Sequence, residues 1–197
     1  LFNAGKHAEA IPLFRAIVEN DPTDLEAWEY LVISLRDTRT YEAGVDTAKV
    51  ALKLHSREAW LWRELGNMLI KLERFDEANK ALDQAKRIEP GAEWLWRYYT
   101  LLYMAWKQPD LEANALEELV RLNKANSTDL NKLGIIHHNN KNYRKALENY
   151  RTAALMEVAA VPYYNMGLVY SDPEVSQDAD AADAYRRALR IDPTYNK

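Results

Sequence analysis

Trp28, Trp62 and Trp96 recur at one constant interval, thirty-four positions each time, and Leu31, Leu65, Tyr99 and Leu133 follow the same step. Ala10, Gly44 and Ala78 keep that spacing, and Pro22, Ser56 and Pro90 punctuate it. A fixed period of this length implies stacked supersecondary units, none of which can bury its apolar face alone. Further on, Leu133-Gly134 returns as Met166-Gly167 one position early and Ala146 as Ala181 one position late, which implies a deletion of one residue and then an insertion of two. The register predicts a single array over 1–197: a partial unit 1–24, then units of about 25–58, 59–92, 93–126, 127–159 and 160–193.

The stretch from Ala59 to Pro90 shows the unit most clearly. Trp62, Leu65, Gly66 and Leu69 fall on one face of a helix, Ala78, Leu82 and Ala85 on one face of a second, and Pro90 closes the unit. This pattern resembles the tetratricopeptide repeat (TPR). The resemblance covers essentially the whole chain and implies an all-α fold, a right-handed superhelical solenoid of antiparallel helix pairs. It also implies that first helices line a concave face and second helices a convex one. Small residues such as Gly66 and Ala78 let helices approach, and Trp62 fills the space between pairs, so Trp62→Ala is expected to cost about 3–5 kcal/mol.

Taken in order, residues 1–4 read as the tail of a first helix, with a turn at Gly5, as in a piece of a longer chain. A helix follows from about His7 to Asn20, with a kink expected at Pro12, which lacks an N–H. Thr23-Asp24-Leu25-Glu26 reads as a capping box opening the next helix, to about Asp37. Its partner spans about Thr40 to Leu54, where Gly44 predicts tight packing. The central pair is expected at 57–71 and 74–88, and an aromatic helix at 92–106. Pro109, together with Glu112 at an expected Ala position, predicts that the unit from Glu93 to Asn126 is the least regular. Ser171 to Asp178 reads as an exposed loop. The last helix, carrying Tyr185, Leu189 and Ile191, lacks a polar cover, so further repeats or self-association through a terminal face are expected.

Composition narrows the function. A hydrophobic fraction of 48% and a charged fraction of 28% suit a folded chain, and no apolar run nears the roughly 20 residues of a spanning helix. The net charge of −4 argues against a general nucleic-acid binder, because phosphate contacts need excess Lys and Arg. The lack of cysteine excludes disulfides and thiolate chemistry and fits a reducing cytosol or a periplasm alike. No phosphate loop, metalloprotease helix or nucleophile elbow is present. The adjacent pair His137 and His138 diverges by about 100° on a helix and reads as surface or capping. The sequence therefore predicts no enzyme, no cofactor and no metal site.

Side chains two apart on a helix point nearly opposite ways, so Trp60 and Trp94 face away from the core positions Trp62 and Trp96. They either turn to the groove or pack on the preceding unit. Extending the register gives a groove surface of Tyr30 and Ile33, then Trp60, Arg63, Asn67, Ile70 and Lys71, then Trp94, Arg97, Tyr98 and Leu101, then Asn131, Lys132 and Tyr164. Within it, Trp60, Arg63, Asn67, Trp94, Arg97, Tyr98 and Lys132 are the candidate partner-binding residues, with the cations drawing an acidic group and the aromatics holding an apolar side chain. Reversing Arg63 and Arg97 together to Glu is expected to abolish binding at nearly unchanged stability. Some TPR proteins clamp a terminal carboxylate. Arg63 and Asn67 fit part of that clamp, but Tyr98, Thr128 and Lys132 depart from it, so the full clamp is absent. The leading expectation is a protein-interaction scaffold binding a peptide or helix of a partner; the alternative is the targeting module of a larger enzyme.

Overall fold

The computed structural model describes residues 6–195. Among them are eleven helices and no strand. The helix tail expected at 1–4 and the turn at Gly5 lie outside the described residues. The chain packs as two compact units, Leu1–Gln108 and Pro109–Lys197.

The first unit contains α1 (His7–Asn20), α2 (Leu25–Asp37), α3 (Tyr41–Leu54), α4 (Ala59–Lys71), α5 (Phe75–Ile88) and α6 (Glu93–Ala105). Each boundary has a local cause. α1 continues unbroken through Pro12. The capping box expected at Thr23 is not formed: Asp24 caps α2 by accepting from the Ala27 N–H at 2.9 Å, while the Thr23 hydroxyl turns back to Asp21. A carboxylate at the N-cap satisfies one orphan N–H and also suits the positive end of the helix.

Four of the five turns from a first to a second helix use the same device. Arg39, Glu73, Lys107 and Lys141, evenly spaced by one repeat period, all take positive φ near 56–59°. In each case the next N–H reaches back five residues, as from Thr40 to the Leu35 carbonyl at 3.0 Å and from Arg74 to the Leu69 carbonyl at 2.9 Å. This hydrogen-bond geometry ends a helix in a left-handed residue, usually glycine; here charged residues occupy it.

The core of the first unit alternates bulk and absence. Leu61, Leu65, Met68 and Leu69 of α4 are buried, as are Ala78, Leu82 and Ala85 of α5. A Cβ on Gly44 would strike the Met68 sulfur and one on Gly66 would press on Leu82, which is the tight packing expected at Gly44. The core-position tryptophans share a further bond. The indole N–H of Trp28 donates to the Pro22 carbonyl, that of Trp62 to Ser56 and that of Trp96 to Pro90, at 2.9, 2.9 and 3.3 Å. Each tryptophan thus fastens its helix to the turn that precedes it.

The aromatic α6 is explained largely by α5. The Tyr99 hydroxyl donates to Asp83 at 2.6 Å and Tyr103 to Asn79 at 2.9 Å, while Asn79 donates to Asp83. Tyr99 stacks on Tyr103 at 5.6 Å, and the Lys86 ammonium lies 4.7 Å from the Trp96 ring. Burial, reinforced by Asp83, raises the Tyr99 phenol well above its ordinary value and keeps it a donor.

The second unit contains α7 (Pro109–Arg121), α8 (Ser127–Asn139), α9 (Tyr143–Met156), α10 (Ala160–Tyr170) and α11 (Asp178–Ile191). Pro109 begins α7, where a missing N–H costs nothing. The irregularity expected for residues 93–126 does not show in helix length: α6 and α7 have 13 residues each, against 13 and 14 for α4 and α5. Glu112 is half-buried in the small-residue position; burial raises its carboxyl, and Lys132 opposes that. α8 opens with a capping box between Asn126 and Asp129. Ser171–Gln177 is the expected loop, tied down by Glu174 to Lys141.

The core of this unit gathers Ala146, Tyr150, Met166, Val169 and Ala184. A Cβ on Gly134 would lie 2.5 Å from Tyr150 Cε1, and Tyr150 is only 1% exposed, so its ring has nowhere to go. Gly134→Ala is expected to destabilise by about 1–3 kcal/mol. Gly167→Ala, which meets the less deeply buried ring of Tyr185, should cost less. Denaturant titration of the two variants compares them, and equal losses would contradict this packing.

Candidate binding face on the first helices

Trp60, Arg63 and Asn67 lie at i, i+3 and i+7 on α4 and so share a face; all three are half-buried. Beneath them sits a residue that periodicity did not mark as special. Glu64 is fully buried, and both its oxygens are engaged. Arg36 of α2 donates through Nη1 to Oε2 at 2.7 Å, and Arg63 donates through Nε to Oε1 at 3.0 Å, with its Nη2 2.9 Å from the same oxygen in an ion pair. A carboxylate removed from water at this depth is tolerable only when paired and hydrogen-bonded in this way. Burial alone would disfavour charge on Arg36, but Asp37 and Glu64 outweigh it and hold the guanidinium charged.

Arg63 carries the cluster on to α6. Its Cζ lies 5.5 Å from the Trp94 ring centroid, a cation over an aromatic face. The Trp94 indole N–H donates to the Glu89 carboxylate at 3.2 Å. Arg97 Nε donates to Glu93 at 2.8 Å. Tyr98 is raised above its ordinary phenol value by burial and then by the Glu64 charge, with Arg63 and Arg36 opposing, which places it in the same electrostatic neighbourhood. The structure therefore joins α2, α4 and α6 through Arg36, Glu64, Arg63 and Trp94. Lys132 lies on α8 of the second unit, near enough to Glu112 to oppose the rise that burial gives its carboxyl.

Two residues expected on the groove surface are instead core. Ile70 is 5% exposed and Asn131 is 9% exposed; the Asn131 amide donates to the Ser127 carbonyl at 3.0 Å. Reversing Arg63 and Arg97 together to Glu is therefore expected to lower stability rather than leave it nearly unchanged, because the new carboxylate at 63 would face buried Glu64. Sequence reasoning missed Arg36 and Glu64. One signal was present: Glu64 holds the register position of Tyr30 and Tyr98, a carboxylate where the neighbouring repeats carry aromatics.

His137 is not at the surface as expected but buried, with Nε2 3.6 Å from a Glu117 oxygen. His138 lies against Tyr143 and Asp172. Among the described residues no group of three or more His, Cys, Asp or Glu is placed to hold a metal. Burial, then the Lys145 charge, pushes the His137 imidazole below its ordinary value, with Glu117 opposing. The unfolded chain therefore binds this proton more readily, with a value of about 6.5, so stability is intact above that and falls as pH drops through it. His137→Gln should flatten melting temperature against pH between about 5 and 7; an unchanged slope would place the proton elsewhere.

Antiparallel helix pairs, a constant repeat register and small residues at helix crossings define a helical-repeat solenoid. Residues 1–59 match the sequence profile described as tetratricopeptide repeat. No curated protein matches the sequence significantly. Among solved structures, the chain is similar to YrrB, described as a TPR protein with an unusual peptide-binding site, at TM-score 0.76 and 21% identity over 92% of this chain and 93% of that one. It is also similar to the MamA protein, at TM-score 0.73 and 16% identity over 84% and 90% of the two chains. PilF of Pseudomonas aeruginosa aligns at TM-score 0.69 and 20% identity over 98% and 87%. No helix among the described residues is long and apolar enough to cross a membrane.

Proposed function

We propose that the chain is a protein-interaction scaffold whose first-helix face binds a peptide or helix of a partner, with Trp60, Arg63, Asn67, Trp94, Arg97 and Tyr98 in contact. Lys132 is a separate candidate contact on the second unit. The repeat register supports reading 1–197 as one array.

One observation carries this reading: the stack of Arg63 on Trp94 over buried Glu64. Glu64 takes Nε of Arg63 and ion-pairs with its Nη2 side, which leaves the guanidinium's outer N–H groups for an incoming acceptor, while the stem and the stacked ring fix its direction. A fixed cation–aromatic pair loses little side-chain freedom on binding, and Trp and Arg are the residue types that dominate binding energy. The chain shares its fold with YrrB, itself described as having a peptide-binding site, which agrees with a peptide ligand. An acidic group on that ligand would complement Arg63.

The test uses peptides selected from a random display library on the whole protein. Trp60→Ala and Asn67→Ala remove side chains that make no hydrogen bond among the described residues, so neither strands a buried polar partner. The double variant, shown folded by thermal melting, should bind the selected peptides at least about tenfold more weakly. Undiminished binding would overturn the assignment.

A further inference from the structure

The repeat also builds a surface on the side of the second helices, and builds it twice. In the first unit a cleft of about 460 Å³ opens between α3 and α5 above α4. Trp62, Leu65 and Leu69 form its floor. Trp62 is two residues from Trp60 and so faces nearly the opposite way. In the second unit a cleft of the same volume opens between α9 and α11, with Tyr163, Met166 and Tyr170 as its floor. Position by position along the helices, all ten residues lining one cleft are the repeat equivalents of the ten lining the other. Shape is therefore a property of the repeat; charge is not.

The rim of the first cleft carries Lys49, Lys53, Lys80 and Glu77. Glu77 is already spoken for: Arg74 grips both its oxygens at 2.7 and 2.9 Å and Lys49 adds a bond at 3.1 Å. Those partners, Arg74 first, hold its carboxyl down at about 2. Lys53 and Lys80 make no ion pair among the described residues, so two exposed ammonium groups flank an apolar floor. The second cleft is balanced internally. Arg187 pairs with Asp183 at 2.8 Å, Arg151 donates to the Tyr170 hydroxyl at 2.9 Å, and Asp180 completes two cations against two anions.

We propose that the α3–α5 cleft is a second docking site, independent of the first-helix face, for an acidic segment of a partner protein. One apolar side chain of that segment rests on Trp62, and its flanking carboxylates meet Lys53 and Lys80. The α9–α11 cleft, equal in shape and neutral in charge, does not take it. Complementary charge around a desolvated anchor is what gives such a site selectivity.

The probe is the peptide acetyl-Glu-Asp-Leu-Asp-Glu-amide, titrated into the ¹⁵N-labelled protein. The Trp62 indole N–H and the backbone amides of α3 and α5 should shift saturably, those of α9 and α11 should not, and a peptide with lysine in place of each acid should be silent. Lys53→Glu with Lys80→Glu, both exposed and shown folded by thermal melting, should weaken the peptide at least about tenfold. Absence of a Trp62 shift, equal shifts on α9 and α11, an unaffected double variant, or shifts confined to Trp60 and Trp94 would each overturn the proposal.

Discussion

Arg36→Met should lower the unfolding free energy by about 3 kcal/mol, because it leaves the fully buried Glu64 carboxylate with Arg63 as its sole guanidinium partner. The loss should be specific to the stranded charge. Adding Glu64→Leu to Arg36→Met removes the buried anion along with its partner and should recover most of the stability, since a buried ion pair replaced by apolar groups is often neutral. Chemical denaturation of the two variants tests this. A loss under about 1 kcal/mol in the single variant, or a double variant no better than the single, would show that Glu64 is not held by Arg36.

Trp28→Ala should be as damaging, at about 3–5 kcal/mol, and clearly worse than Trp62→Ala. The three core-position tryptophans share one hydrogen-bond pattern, so that bond cannot separate them. Burial does: Trp28 is 6% exposed, whereas Trp62 is only half-buried at the floor of the α3–α5 cleft. An alanine at position 62 creates less cavity and removes less apolar surface from a dry environment, so about 1–2 kcal/mol is expected. This revises the larger cost that the family pattern alone assigns to Trp62. Equal losses in the two variants would contradict the packing described.

Where the sequence was legible, a period carried the information. Core positions such as Leu31, Leu65 and Tyr99 repeat because every unit must bury the same stripe, and the helices fall within about two residues of where that stripe places them. The turns were harder to read. Arg39, Glu73, Lys107 and Lys141 adopt the left-handed conformation without the glycine or asparagine that usually signals it, so only their spacing connects them. Thr23 was misread for a related reason: Thr23 and Asp24 are both competent caps, and the choice depends on which backbone turns into the helix.

The candidate face was legible in direction and not in partnership. Trp60, Arg63 and Asn67 share one face of α4 as the i, i+3, i+7 spacing places them, and Arg63 meets Trp94. That Arg63 would also serve a buried carboxylate depended on Arg36, which lies on α2 with the whole of α3 between it and Glu64, and contacts across neighbouring helices leave no local pattern. Ile70 and Asn131 show the same limit from the other side, since burial by a neighbouring helix depends on packing that register alone does not specify.

The most direct test of the proposed binding face is amide and indole chemical-shift mapping of the whole protein with a display-selected peptide. The account predicts saturable shifts centred on Trp60, Arg63, Asn67, Trp94, Arg97 and Tyr98, including both the Trp60 and Trp94 indole N–H signals. Shifts that bypass these residues, with the Trp60 and Trp94 indoles unmoved at saturation, would contradict it.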